Sequence, residues 1–166
     1  RIGDWEYFGH AGGFQGFITR TTVLPLHDLT LSVLTNAADG LAHPWLEGAT
    51  HILRCFAKRG APSRKLDDWA GRWWSLWGAV DLVPVGDRVL IAAPALGDPF
   101  MDASEIEMRG RDRGQIALAN GFASHGEEVR RIRNKRGAVV EVRLAGSQLL
   151  PEGKVAKELQ ARYERP

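Results

Sequence analysis

His10 is the residue whose type and setting best suit it to chemistry. It lies in residues 7–21, YFGHAGGFQGFITRT, followed directly by Ala11 and the pair Gly12-Gly13. An imidazole titrates near neutral pH, so it can donate a hydrogen bond or take on charge beside a reacting group. Glycine carries no Cβ, so the backbone N–H groups around it can come within about 3 Å of an anionic atom. Standing alone, so short a motif reads as a hairpin turn with a histidine nearby.

The other chemistry-bearing residues are less organised. His10, His27, His43, His51 and His125 have no ligand spacing, so no metal is expected. Cys55 is the only cysteine, which excludes an internal disulfide and a cysteine-based zinc site and leaves cytoplasmic and periplasmic or secreted locations open. Arg130, Arg131, Arg133, Lys135 and Arg136 form a basic cluster. Glu127, Glu128 and Glu141 stand close by and no aromatic residue interleaves, so it reads as a solvated hairpin and no nucleic acid is expected. In LDDWAGRWWSLWG, alternation puts Trp69, Gly71, Trp73, Ser75 and Trp77 on one strand face, a large aromatic contribution to a core.

These residues need elements to position them, and 166 residues suffice for one ordinary domain or two small ones. Apolar residues make up 44% and charged residues 25%, a globular composition. The longest apolar runs, such as 89–96, fall well short of the ~20 residues of a spanning helix, so no membrane span is expected. A formal charge of +2 gives no overall pull toward nucleic acid or anionic lipid. The opening RIGDWEYFGH has neither an initial Met nor a secretory pattern, which predicts a piece of a longer chain.

Residues 4–10 and 16–24 have strand composition and are expected to join near residues 12–15. Residues 29–36, LTLSVLTN, are apolar on both faces and predict a third strand inside a sheet covered on each side. From Pro44, the residues Trp45, Leu46, Ala49, Ile52, Leu53 and Phe56 fall at helical spacing, predicting an amphipathic helix over 44–58. Residues 59–65 read as a linker. Short strands are then expected at 69–76, 79–85, 88–93, 105–109, 115–119, 128–133, 138–144 and 147–150, as in an antiparallel barrel or sandwich. Val155, Leu159 and Tyr163 lie four apart in a short C-terminal helix.

The order over residues 5–58 resembles the carboxyl-terminal end of the catalytic domain in serine β-lactamase-like hydrolases, which include class C β-lactamases, penicillin-binding proteins, D-aminopeptidases and CubicO-type enzymes. Their third active-site motif, often Lys-Thr-Gly, lies on a strand at the edge of the cleft. GHAGGFQGF followed by VLTNAADG resembles the His-x-Gly variant. The resemblance implies that His10 stands for the lysine, Ala11 for the threonine and Gly12 for the glycine. Gly13 would supply the second N–H of the oxyanion hole, and Ala11 and Phe14 would contact substrate. No cofactor is implied. Ala11 has no hydroxyl for a substrate carboxylate, which favours ester, amide or peptide substrates over penicillins. The family's Ser-x-x-Lys, with the nucleophile, is absent from this sequence and is expected upstream.

LDDWAGRWWSLWGAVDLVPVGDRVLI, with ALGDPF at 95–100 and NGFASHGEEVRRIRN at 120–134, resembles the lipocalin-like barrel that follows the catalytic domain in some CubicO-type hydrolases, and Gly71-x-Trp73 matches the short lipocalin signature. The expected fold class is therefore α+β: the last strands and helix of a catalytic domain (1–58), a linker (59–65), an antiparallel barrel (66–150) and a helix or tail (151–166). The rival reading is a non-enzymatic barrel that binds a small apolar ligand or a protein partner. A truncated sheet would expose a strand edge and predicts homo-oligomers.

Overall fold

The computed structural model describes residues 4–94, 104–118 and 124–164, with only the backbone described at Leu118; the expected barrel segments 95–100 and 120–123 lie outside these. The first unit is a three-stranded antiparallel sheet, β1 (Phe8–Phe14), β2 (Phe17–Leu24) and β3 (Leu29–Thr35), in that spatial order. The helix α1 (Ala42–Arg59) covers one face. Residues 4–7 do not extend β1 as expected. They fasten to neighbouring elements: Trp5 stacks on His27, Tyr7 Oη donates to Glu47 and Asp4 pairs with Arg54.

The hairpin turn lies further along than the glycine pair suggests. Gly12 and Gly13 are within β1, and the chain reverses at Gln15-Gly16, where Gly16 takes φ +80°. Among closely spaced glycines only Gly16 is in the left-handed region, where glycine is at no disadvantage. β3 differs from expectation too. It is an outer strand with alternating burial: Leu29, Leu31 and Val33 are half-buried beneath α1, and Leu34 is exposed. Phe8, Phe14, Phe17 and Leu34 crowd the uncovered face, and the sheet has free edges at β1 and β3.

In α1, Leu46 and Thr50 are fully buried, while Trp45 and Phe56 of the expected apolar stripe are about half exposed. The helix has a second buried side, where Cys55 meets Val85 and Leu90 on the outer surface of the barrel. Residues 60–63 form a short junction between the units. Ser63 N–H donates to Gly86 O, and Arg59 pairs with Glu105. Gly86 has φ +57° and an added Cβ would lie 2.6 Å from the Arg59 carbonyl oxygen, so only glycine fits the close approach.

The barrel is an eight-stranded antiparallel meander: β4 (Gly71–Ser75), β5 (Gly78–Val85), β6 (Arg88–Ala92), β7 (Ser104–Met108), β8 (Arg113–Leu118), β9 (Glu128–Arg133), β10 (Val139–Leu144) and β11 (Ser147–Leu149). The N–H groups of Trp74 and Leu150 each donate to the other's carbonyl at 2.8 Å, nearly closing the sheet into a cylinder. Over this seam lies α2 (Glu152–Tyr163), with Val155 and Leu159 facing Trp74 and Leu150 across a shallow groove while Tyr163 stays exposed.

Alternation sends Leu82, Val89, Ile106, Ile116, Val129, Val142 and Leu149 inward, one from each strand after β4, where they pack into one buried cluster with Leu66 and Trp69. The packing leaves no room at Gly114, where an added Cβ would sit 2.4 Å from Ile106 Cγ2 and 3.0 Å from Glu107 O. Gly114→Ala is expected to destabilise the barrel by about 1–3 kcal/mol, seen as a lower thermal midpoint; an unchanged midpoint would refute this account of the close approach.

Candidate functional site

His10, Ala11, Gly12, Gly13 and Phe14 all lie on the edge strand β1, and each except the half-buried Gly12 is exposed. The registers His10↔Thr21, Gly12↔Thr19 and Phe14↔Phe17 place His10, Gly12 and Phe14 on the uncovered face. Ala11 and Gly13 belong to the face toward α1. Beside His10, the Thr21 and Ser32 hydroxyls pair at 2.9 Å, forming a polar strip between apolar ends made by Phe8, Phe14 and Phe17.

The backbone supplies the second half of the geometry. A two-residue loop closes on the hydrogen-bonded pair Phe14↔Phe17, and hydrogen-bonded pairs then recur at every second position. Gly12 therefore directs its N–H and C=O at β2, as its carbonyl's acceptance of a 3.4 Å bond from Thr19 Oγ1 also shows. Gly13, one residue on, directs its N–H away from β2 into the free edge.

Packing does not demand glycine at 13. An added Cβ would meet only Ile18 Cδ1, at an ordinary 3.7 Å, and φ is not positive. Glycine in a strand interior costs backbone entropy, so its use where alanine would fit leaves the main chain unobstructed on that side.

A second constellation closes one barrel end, and it was not singled out from the sequence. Residues Arg64–Trp69 form a 3-10 helix that inserts Leu66 and Trp69 into the core. The Trp69 ring is 1% exposed and its Nε1 donates to Arg111 O at 3.1 Å. Arg131 sets its guanidinium 4.1 Å from the Trp69 ring centroid and donates to Asp68, Asp112 and the carbonyls of Asp68 and Arg111. Arg133 binds Asp68 and Asp112 as well.

Arg131 is only 4% exposed, so it leaves the solvated cluster expected for residues 130–136; Lys135 and Arg136 remain exposed as expected. The missed signal was alternation in EVRRIR, which puts Arg131 on the inward face with Val129. The buried tryptophan of the barrel end is Trp69, whereas Trp73, the tryptophan of Gly71-x-Trp73, is half-buried higher in the barrel.

Burial raises the Asp68 carboxyl, but hydrogen bonds from Arg133 and Arg131 outweigh it and hold the group below its ordinary value. Asp112 is lowered chiefly by Arg133. A carboxylate lowered in the folded state contributes stability above its unfolded value of about 4 and loses it as pH falls through the lower folded value. Both groups are partly exposed, which keeps the effect modest. The thermal midpoint is therefore expected to decline below about pH 4, and less steeply in Asp112→Asn. Equal slopes in a titration from neutral to acid would contradict this assignment.

No family model matches the sequence, and no curated protein does. Solved structures do align over most of the chain. A SurE crystal structure with D-Leu aligns with 87% of this chain and 35% of its own, at 16% identity and a TM-score of 0.40. The octameric penicillin-binding protein homologue from Pyrococcus abyssi aligns over 90% and 34%, at 18% identity and 0.39. A further SurE structure aligns over 89% and 34%, at 15% identity and 0.39. The chain thus spans about a third of the length of these proteins. Among the described residues, no helix is long and apolar enough to cross a membrane and no cluster of His, Cys, Asp and Glu could hold a metal.

Proposed function

We propose that this chain is the carboxyl-terminal part of a serine hydrolase of β-lactamase-like, CubicO type, which cleaves ester, amide or peptide bonds through an acyl-enzyme. The observation that carries this reading is the Gly13 N–H directed into the free edge of β1, on a strand bearing His10 and a glycine that packing does not require. In the reaction, an upstream serine Oγ adds to the substrate carbonyl, and the oxyanion takes hydrogen bonds from the N–H groups of that serine and of Gly13. Collapse expels the alcohol or amine, and water then releases the acyl group.

His10 projects from the same strand and supplies a hydrogen bond or a charge beside the nucleophile; it is an auxiliary group. Ala11 and Phe14 flank the edge as substrate contacts, Phe14 offering an exposed ring. The bare apolar face of Phe8, Phe14, Phe17 and Leu34, with the open edge of β3, supports a larger catalytic sheet around these strands. The buried apolar cluster inside the barrel counts against its use as an internal site for a small apolar ligand.

The test is intact-mass analysis of the full-length gene product after exposure to a fluorophosphonate serine probe, with peptide mapping of any adduct. The expected adduct lies on a serine upstream of Arg1 with lysine three residues later. A full-length chain without such a serine, or one that stays unmodified, would refute the reading. Serine-dependent turnover by residues 1–166 alone would refute it as well.

A further inference from the structure

We propose that the outer groove between the 3-10 helix at Arg64–Trp69 and the β7–β8 loop binds a small amphipathic anion, an alkyl group ending in a carboxylate or phosphate. The groove has a volume of about 760 Å³, within the range of small-molecule sites. Leu66, 5% exposed, and the half-buried Met108 give it an apolar floor. Trp69 and Arg131, buried against each other at this end of the barrel, are not part of its lining.

Charge on the rim selects the ligand's polar end. Arg64, Lys65 and Arg111 line the groove and are exposed, and none of these side chains makes a hydrogen bond or a direct ion pair with a described residue. Arg111 acts only at a distance, helping to hold Asp112 ionised. The carboxylates nearby are already engaged: Asp68 by Arg131 and Arg133, Asp87 by Arg59 at 3.5 Å and Arg88 at 4.0 Å. Among the described residues, Asp67 alone stands unpaired on the rim against three unpaired cations. Other arginines of the barrel, such as Arg72, Arg88 and Arg143, have carboxylate partners. A ligand's apolar body would cover Leu66 and Met108, and its anionic end would take charge-assisted hydrogen bonds from the rim. None of this uses the β1 edge, so the proposal stands or falls separately from the hydrolase reading.

The chain has two methionines, Met101 and Met108, so methyl labelling gives a two-signal NMR reporter of the groove, assigned with Met101→Leu. Titration of the 166-residue chain with decanoate is expected to shift the Met108 methyl saturably. Decanol, neutral and of equal length, should bind about tenfold more weakly, as should decanoate to Arg64→Glu/Arg111→Glu. Both residues are exposed; should the double variant fail to fold, Lys65→Glu gives the same readout. An unresponsive Met108 methyl, equal affinity for decanol, or unchanged affinity in the charge-reversal variants would overturn the proposal. Capture by phosphatidylglycerol vesicles without a saturable decanoate response would also overturn it, in favour of an anionic surface.

Discussion

Trp69→Ala is expected to lower the stability of the chain by about 3–5 kcal/mol, which is roughly 10–20 °C in thermal midpoint. The indole is 1% exposed, packs with Leu66 against the inward residues of the barrel, and donates its Nε1 proton to Arg111 O. Truncation opens a cavity at the barrel end and removes the surface on which the Arg131 guanidinium lies. That cation would then be buried without its aromatic cover, and the Arg111 carbonyl would lose one donor. Trp73→Ala removes a ring of the same size that is only half-buried, so its cost is expected to be smaller. Measuring both variants by denaturant unfolding decides which tryptophan organises the barrel. A larger loss at Trp73 would show that the tryptophan of the short Gly-x-Trp signature, and not the residue of the 3-10 helix, holds the core.

The same comparison shows what was legible beforehand. The barrel strands could be read because alternation in segments such as AVVEVRL encodes an inner and an outer face, and their observed bounds fall close to expectation. RKLDDW carries no such period. Trp69 was therefore placed in the first strand, although it ends a 3-10 helix whose role depends on residues 42 and 62 positions away. Arg131 was hidden for a related reason. A buried arginine and an exposed one look alike until the carboxylates that engage it are brought near, Asp112 by the pairing of β8 with β9 and Asp68 by the 3-10 helix.

In the hairpin, composition announced two strands but placed their turn at residues 12–15, because the Gly12-Gly13 pair permits one. The register selected Gly16 and thereby turned the His10–Gly13 motif from a loop into an edge. The apolar stripe of α1 was misassigned because the helix has two covered sides, one toward the sheet and one toward the barrel, and periodicity describes a single face.

On the proposed hydrolase reading, Gly13→Pro in the full-length gene product is expected to reduce kcat by about 10²–10³ with little change in KM. Proline deletes one of the two N–H groups proposed to act on the oxyanion. It is also a gentle change for the fold here. The Gly13 N–H faces away from β2, so no ladder hydrogen bond is lost, and proline is accommodated on edge strands in that orientation. Gly12 is in a strand, the conformation that a residue before proline favours. Gly13→Ala retains the N–H and adds a Cβ at ordinary contact with Ile18, so it should lose far less activity. The thermal midpoints of the two variants separate catalysis from folding. A stable proline variant with full activity would remove Gly13 from the oxyanion hole, and an unstable one would show that its N–H belongs to the sheet. A large loss of kcat at an unchanged midpoint, recovered by alanine, is the pattern that only a donor aimed at the reacting carbonyl produces.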